Sequence, residues 1–134
     1  MVIDTSVLVA LLLAEPEAVL HDRVIRNDTR RLLSAAVLLE TTIVYLGRSR
    51  QAHPFAVTEL ISSLDASVLP VTALQAEIAG EAFRRFGKGR HPAKLNFGDC
   101  FSYVLAKAQG EPLLFKGNDF NLTDVRIVDW WKPT

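Results

Sequence analysis

Four acids stand apart from the rest of the charge in this chain: Asp4, Glu40, Asp99 and Asp119. Asp4 follows the apolar pair Val2-Ile3 and is the only charged side chain in the first fourteen residues. Asp caps helices well, but Thr5 and Ser6 offer the same service, which leaves the acid for other work. Glu40 is the only charged residue between Leu32 and Gly47. On a helix it falls three or four positions from Ala36, Val37, Ile43 and Val44, so a carboxylate sits on an apolar stripe. An unpaired buried carboxylate is costly even after relaxation; it needs a cation, a hydrogen-bond network or a raised pKa. Asp99 lies three residues after Asn96, as in a capping box, and also at the positive end of a helix. Asp119, in Gly117-Asn118-Asp119-Phe120, fits ordinary turn chemistry, yet it follows the apolar run Leu113–Phe115. Asp124 reads as a loop acid.

No cluster of neutral ligands accompanies these acids. His21, His53 and His91 are dispersed, and the single cysteine, Cys100, excludes an internal disulfide and a multi-cysteine zinc site. An all-oxygen donor set suits Mg²⁺ or Mn²⁺ rather than Zn²⁺, and such ions typically serve phosphoryl chemistry. The chain has 15 Lys+Arg and 15 Asp+Glu. Five of its bases (Arg84, Arg85, Lys88, Arg90, Lys94), with His91 and no acid, fall between Arg84 and Lys94. The remainder therefore carries five more acids than bases. One basic segment on an acidic body supplies attraction for a polyanion.

Elements must carry these acids to one place. Val2-Ile3 reads as a strand, followed by a helix over Val7–Leu13 capped by Thr5 or Ser6. Pro16 opens a second helix to about Asn27. Leu32-Leu33 reads as a strand, and Ser34 caps a helix from Ala35 to about Leu46, with Gly47 as its stop. Pro54 opens a helix with Val57, Leu60, Ile61 and Leu64 on one face. Ser67–Val71 is a strand, and Thr72 caps a helix presenting Ala76, Ala79, Phe83 and Phe86. A basic loop spans Gly87 to Lys94. Asn96 caps a helix with Phe97, Phe101, Val104, Leu105 and Ala108 on one stripe, ended by Gly110. Leu113–Phe115 and Val125–Val128 are the last strands. Strands alternating with crossover helices predict an α/β fold with a central, mostly parallel sheet covered on both faces. In such sheets ligands bind beyond the carboxyl ends of the strands, where Asp4 and Asp119 lie.

The length of 134 residues fits one domain spanning 1–134, and a composition of 49% hydrophobic against 22% charged excludes disorder. The apolar run Val7–Ala14 is far short of the roughly 20 residues a membrane span needs. No Lys or Arg precedes it, against a secretion signal. A cytoplasmic protein is expected. The Trp130-Trp131 pair is read as core packing or a dimer contact.

The ordered set Val2-Ile3-Asp4-Thr5-Ser6, Glu40 in its apolar helix, Gly87-Lys88-Gly89-Arg90-His91, Leu95-Asn96-Phe97-Gly98-Asp99-Cys100 and Pro112–Phe120 resembles the PIN-domain ribonucleases, specifically the VapC toxins of type II toxin–antitoxin systems. The resemblance covers the chain in order. It implies a three-layer α/β/α sandwich active as a homodimer. It implies Mg²⁺ or Mn²⁺ held by Asp4 and Asp99, with Glu40 and Asp119 completing the site partly through water and Thr5 or Ser6 assisting. It implies metal-assisted hydrolysis of structured RNA, transfer or ribosomal, leaving 5′-phosphate and 3′-hydroxyl ends. Lys88, Arg90 and Lys94 would grip the RNA backbone. A small cognate VapB-type antitoxin would silence the enzyme. Two other readings compete: a catalytically silent PIN-type RNA- or protein-binding module, and a Mg²⁺-dependent phosphoacceptor receiver domain. The receiver needs an acceptor Asp after a mid-chain strand, whereas Glu59 and Asp65 precede one.

Overall fold

The computed structural model describes residues 1–131. Four parallel strands form the sheet: β1 (Val2–Ile3), β2 (Leu32–Ser34), β3 (Ser67–Leu69) and β4 (Leu113–Leu114), in the order β3-β2-β1-β4. Six helices connect them: α1 (Thr5–Leu12), α2 (Ala18–Arg26), α3 (Ala35–Arg48), α4 (Ala56–Ser63), α5 (Ala73–Phe86) and α6 (Phe97–Gln109). A 3₁₀ turn covers Asp119–Leu122.

Side chains alternate across a strand, and here the alternation divides the core. Val2, Leu32 and Leu113 pack with α5 and α6 on one face, whereas Ile3, Leu33 and Leu114 pack with α1, α3 and α4 on the other. A sheet whose β1, β2 and β4 are buried between helical layers, with β3 exposed at its edge, is the expected three-layer α/β/α sandwich. Fully burying each such aliphatic side chain contributes about 1.5–3 kcal/mol, so the short central strands are held by their flanks.

Most helix boundaries follow their capping residues. Ser34 accepts from the Ala36 amide, Thr72 from the Gln75 amide, and Asn96 forms a full capping box with Asp99. Five expectations are corrected. Asp4, not Thr5 or Ser6, caps α1, because its carboxylate reaches the Ser6 amide. The helix expected to stop at Gly47 continues to Arg48. The expected strand Val125–Val128 reduces to a single bridge between Ile127 and Leu113, and the strand expected over Ser67–Val71 ends at Leu69. Phe97 leaves the buried stripe of α6 and is 80% exposed, since it occupies the first helical position and its ring leans on Phe101.

Trp130 is partly buried: its indole N–H donates to the Phe115 carbonyl at 3.0 Å and its ring meets His21 edge-on. Trp131 is half exposed against it. Among the described residues no helix is long and apolar enough to cross a membrane.

Candidate active site

The strand order sets β1 beside β4, so the residues leaving their carboxyl ends meet. Asp4 follows β1; Lys116, Gly117 and Asp119 follow β4, where Gly117 turns the chain with a φ of +106°. Glu40 enters from α3 and Asp99 from the first turn of α6. Together with Thr5, Ser6 and Asn96 these residues line one open groove of about 520 Å³. All four acids singled out from the sequence are in it.

Asp4 is 4% exposed. Its Oδ2 accepts from the Ser6 amide (3.1 Å) and hydroxyl (2.7 Å), while Oδ1 accepts from the Ser102 hydroxyl at 2.6 Å. The Ser6 oxygen in turn accepts from the Lys116 amide at 2.9 Å, tying the ends of β1 and β4 together. A carboxylate has about four lone-pair sites, so these three bonds leave one of Asp4 unused. Asp99 does its capping work with Oδ2, which accepts from the Asn96 amide at 2.9 Å. Burial is the main force pushing its pKa up to about 7; the charges of Asp4, Asp119 and Glu40 add to it against that hydrogen bond. Burial likewise raises Glu40, helped by Asp4 and opposed by the Thr5 hydroxyl, which donates to Glu40 Oε1 at 2.5 Å.

The expected apolar stripe around Glu40 is shifted. Val37, Thr41 and Tyr45 are the buried line of α3; Glu40 sits at its edge with Val44, and Ile43 is 60% exposed. Glu40 has no cation partner among the described residues. It lies against Gly98, where any Cβ would overlap its carboxylate. The absent side chain at position 98 is thus what lets an acid of α3 reach the amino end of α6.

The basic segment is placed elsewhere. Lys88, Arg90 and Lys94 are exposed around a separate shallow concavity with His91 and Pro92. The loop is closed at its base by the Lys88 amide on the Leu95 carbonyl and the Leu95 amide on the Phe86 carbonyl. Of the other two bases, Arg84 is engaged by Glu81 and Arg85 by Asp124. Asp124 also accepts from Tyr103 and Lys107, as befits a structural acid. Cys100 is buried, and burial pushes its thiol up to about 11.

Ser102, Gly98, Arg48 and Lys116 were not singled out from the sequence as site residues. Ser102 is three residues beyond Asp99 on the same helix, and Arg48 is eight beyond Glu40; both spacings keep one helix face. Among the described residues no three His, Cys, Asp or Glu side chains stand close enough to form a ready metal cage. The acids are near enough for the charges of Asp4, Asp119 and Glu40 to act on Asp99 and for that of Asp4 to act on Glu40.

Residues 1–126 match the model of the PIN domain. The chain is 48% identical over 128 residues to a Ribonuclease VapC of Mycolicibacterium smegmatis, covering 96% of this chain and 99% of that protein. It is 46% identical to Ribonuclease VapC30 of Mycobacterium tuberculosis, with 96% and 98% covered. Among solved structures, the M. tuberculosis VapC20 toxin, described as cleaving the sarcin–ricin loop, superposes with a TM-score of 0.78 at 22% identity, covering 95% of this chain and 97% of that one. At that identity the likeness concerns the fold.

Proposed function

The chain belongs to the PIN-domain family, alongside the VapC ribonucleases, and from that premise we propose that its acidic groove is the centre of a metal-dependent endoribonuclease, the toxin of a type II toxin–antitoxin pair. The observation that carries the reading is the meeting of Asp4, Glu40, Asp99 and Asp119, from four separate elements, in one groove, with Asp99 held near pKa 7 by burial and its neighbours.

The donor set fits Mg²⁺ or Mn²⁺, which accept few carboxylates and keep several waters. Asp4, through its remaining lone pair, and Asp99, through the oxygen not used in capping, would hold the ion; Glu40 and Asp119 would complete the site through water. When bound there, such an ion neutralises the attacked phosphate and acidifies an attacking water.

The chain's own groups do the rest. Ser6 and Ser102 fix the Asp4 carboxylate. Thr5 holds one Glu40 oxygen, leaving the other to orient the water and accept its proton, a role suited to a carboxyl with raised pKa. In-line attack of that water on phosphorus breaks the bond to the 3′ oxygen, which takes a proton from solvent water as it leaves, giving 5′-phosphate and 3′-hydroxyl ends. Lys88, Arg90 and Lys94, outside the groove, form an outer track for the RNA backbone, giving affinity while loop shape selects the site in structured RNA.

A VapB-type antitoxin is the proposed inhibitor, and the chain acts as a single domain in the cytoplasm. Leu39, Ile43 and Leu46 expose an apolar stripe on α3, which supports a homodimer. Mapping the ends of a structured RNA pool after incubation with antitoxin-free protein tests the reading. Discrete cuts with 5′-phosphate ends, lost in EDTA and restored by Mg²⁺ or Mn²⁺, are expected. Uncut RNA under all metals would leave a silent RNA-binding module.

A further inference from the structure

The groove that holds the four acids has a second end, where two cations are paired with two further carboxylates. Glu40, Val44 and Arg48 lie at i, i+4 and i+8 on α3 and all line it. Arg48 is thus roughly 12 Å along the helix from Glu40, at 1.5 Å per residue, with Val9 and Val44 between. Lys116 reaches the same end from the turn after β4. Glu15 bridges the two cations: its Oε1 meets the Arg48 guanidinium at 3.2 Å and its Oε2 takes the Lys116 ammonium. Glu17 takes Lys116 as well, at 3.2 Å. Glu15 is 17% exposed on its side chain and Lys116 35%, so the bridge is held in the groove wall yet open to it.

We propose that Lys116 and Arg48 form a binding subsite for a backbone phosphate of the RNA next to the one cleaved, and that the Glu15 carboxylate occupies this subsite in the free protein. The inference rests on the ribonuclease reading above. A carboxylate that spans two cations with its two oxygens offers the same charge and the same paired acceptors as a phosphodiester. A guanidinium and an ammonium at one point would repel each other without an anion between them. When RNA enters, a phosphate replaces Glu15 on the two cations. Arg48 is more than half exposed and Lys116 about a third, so both cations are open to the groove, and the phosphate restores the contacts that Glu15 gives up. The arrangement also answers an electrostatic problem: a polyanion must approach four acids, and the cations at the far end hold its backbone beside them.

The test uses the full chain and a fluorescently labelled RNA hairpin, with binding read by anisotropy against salt in EDTA. Phosphate contacts are independent of sequence, so any hairpin serves. Lys116→Met and Arg48→Met are each expected to weaken binding and lower the salt slope by roughly 0.7. Lys116→Arg should retain most of the affinity. Glu15→Gln, which frees the cations, is expected to tighten binding, and Glu17→Gln to do so more weakly. A purely structural cluster gives the opposite sign, since Glu15→Gln would then loosen the groove and weaken binding. Unchanged slopes in both Met variants, or weaker binding by folded Glu15→Gln and Glu17→Gln, would overturn the subsite. Whether wild type cuts the same hairpin once Mg²⁺ is added is scored separately: a wild type that cuts, with unchanged slopes in the variants, rejects the subsite alone.

Discussion

A carboxyl buried beside other carboxylates keeps its proton to higher pH, and Asp99 and Glu40 both do so here. The sign of the consequence follows from linkage. At these two sites the folded protein holds protons that the unfolded chain has lost between the ordinary carboxyl range and about pH 7, so their contribution to metal-free stability is lost as pH rises through that window. A divalent ion must displace the Asp99 proton, so its affinity should rise up to tenfold per pH unit below about 7 and level off above it. Calorimetric titration with Mn²⁺ across pH 5.5–8.5 checks this. Glu40→Gln should leave the metal-free melting temperature unchanged or raised, because one of several repelling charges is gone and no cation loses its partner. It should also shrink the shift that metal produces. Gly98→Ala has no room for its methyl against Glu40. The Glu40 carboxylate must swing aside and give up its Thr5 hydrogen bond, so a loss of cleavage with little loss of stability is expected, and the cleavage loss should not add to that of Glu40→Ala, because the two act through one carboxylate.

At the scale of elements, caps were legible because their signals are local: Ser34, Thr72 and Asn96 each lie within three residues of the amide they satisfy. Asp4 and Glu40 were legible as well, because a lone charge in an apolar segment marks itself, whereas Asp99 and Asp119 were marked only by their places at a helix start and after an apolar strand. What was not legible depends on partners distant in the chain. Val125–Val128 has strand composition, but only Ile127 finds a bridge partner on β4. Lys116 and Arg48 look like surface charge until the fold sets them on Glu15. His21 is a further case, a helix residue buried completely with both ring nitrogens unpaired against Trp130. Burial lowers its pKa, with Glu17 opposing that shift. The unfolded chain therefore takes up a proton that the folded one resists, and stability is lost as pH falls below the ordinary histidine value of about 6.5. His21→Leu should flatten that acid limb, as followed by thermal melts between pH 5 and 8. For the basic loop, removing charge at Lys88, Arg90 and Lys94 together should reduce the salt slope of RNA binding by roughly 2, at about 0.7 per contact. Mn²⁺ affinity should not change, because the loop does not line the acidic groove.

For the whole molecule, a zero formal charge conceals a polar arrangement: acids at the strand ends, cations at the far end of the same groove, and a basic loop outside it. A parallel sheet brings the carboxyl ends of strands about a hundred residues apart side by side, and that end of the sheet is where the chemistry collects. The most direct measurement is single-turnover cleavage of a structured RNA by wild type, Asp4→Asn and Asp99→Asn, each stripped of metal, shown to be folded and refilled with Mn²⁺. Asn keeps each residue's shape and its capping acceptor while removing the charge. The account predicts cleavage by wild type that stops in EDTA, and rates for both variants lower by about a hundredfold or more, the scale expected when a group stabilising the transition state is lost. Wild-type rates in either variant, or cleavage that continues in excess chelator, would contradict it.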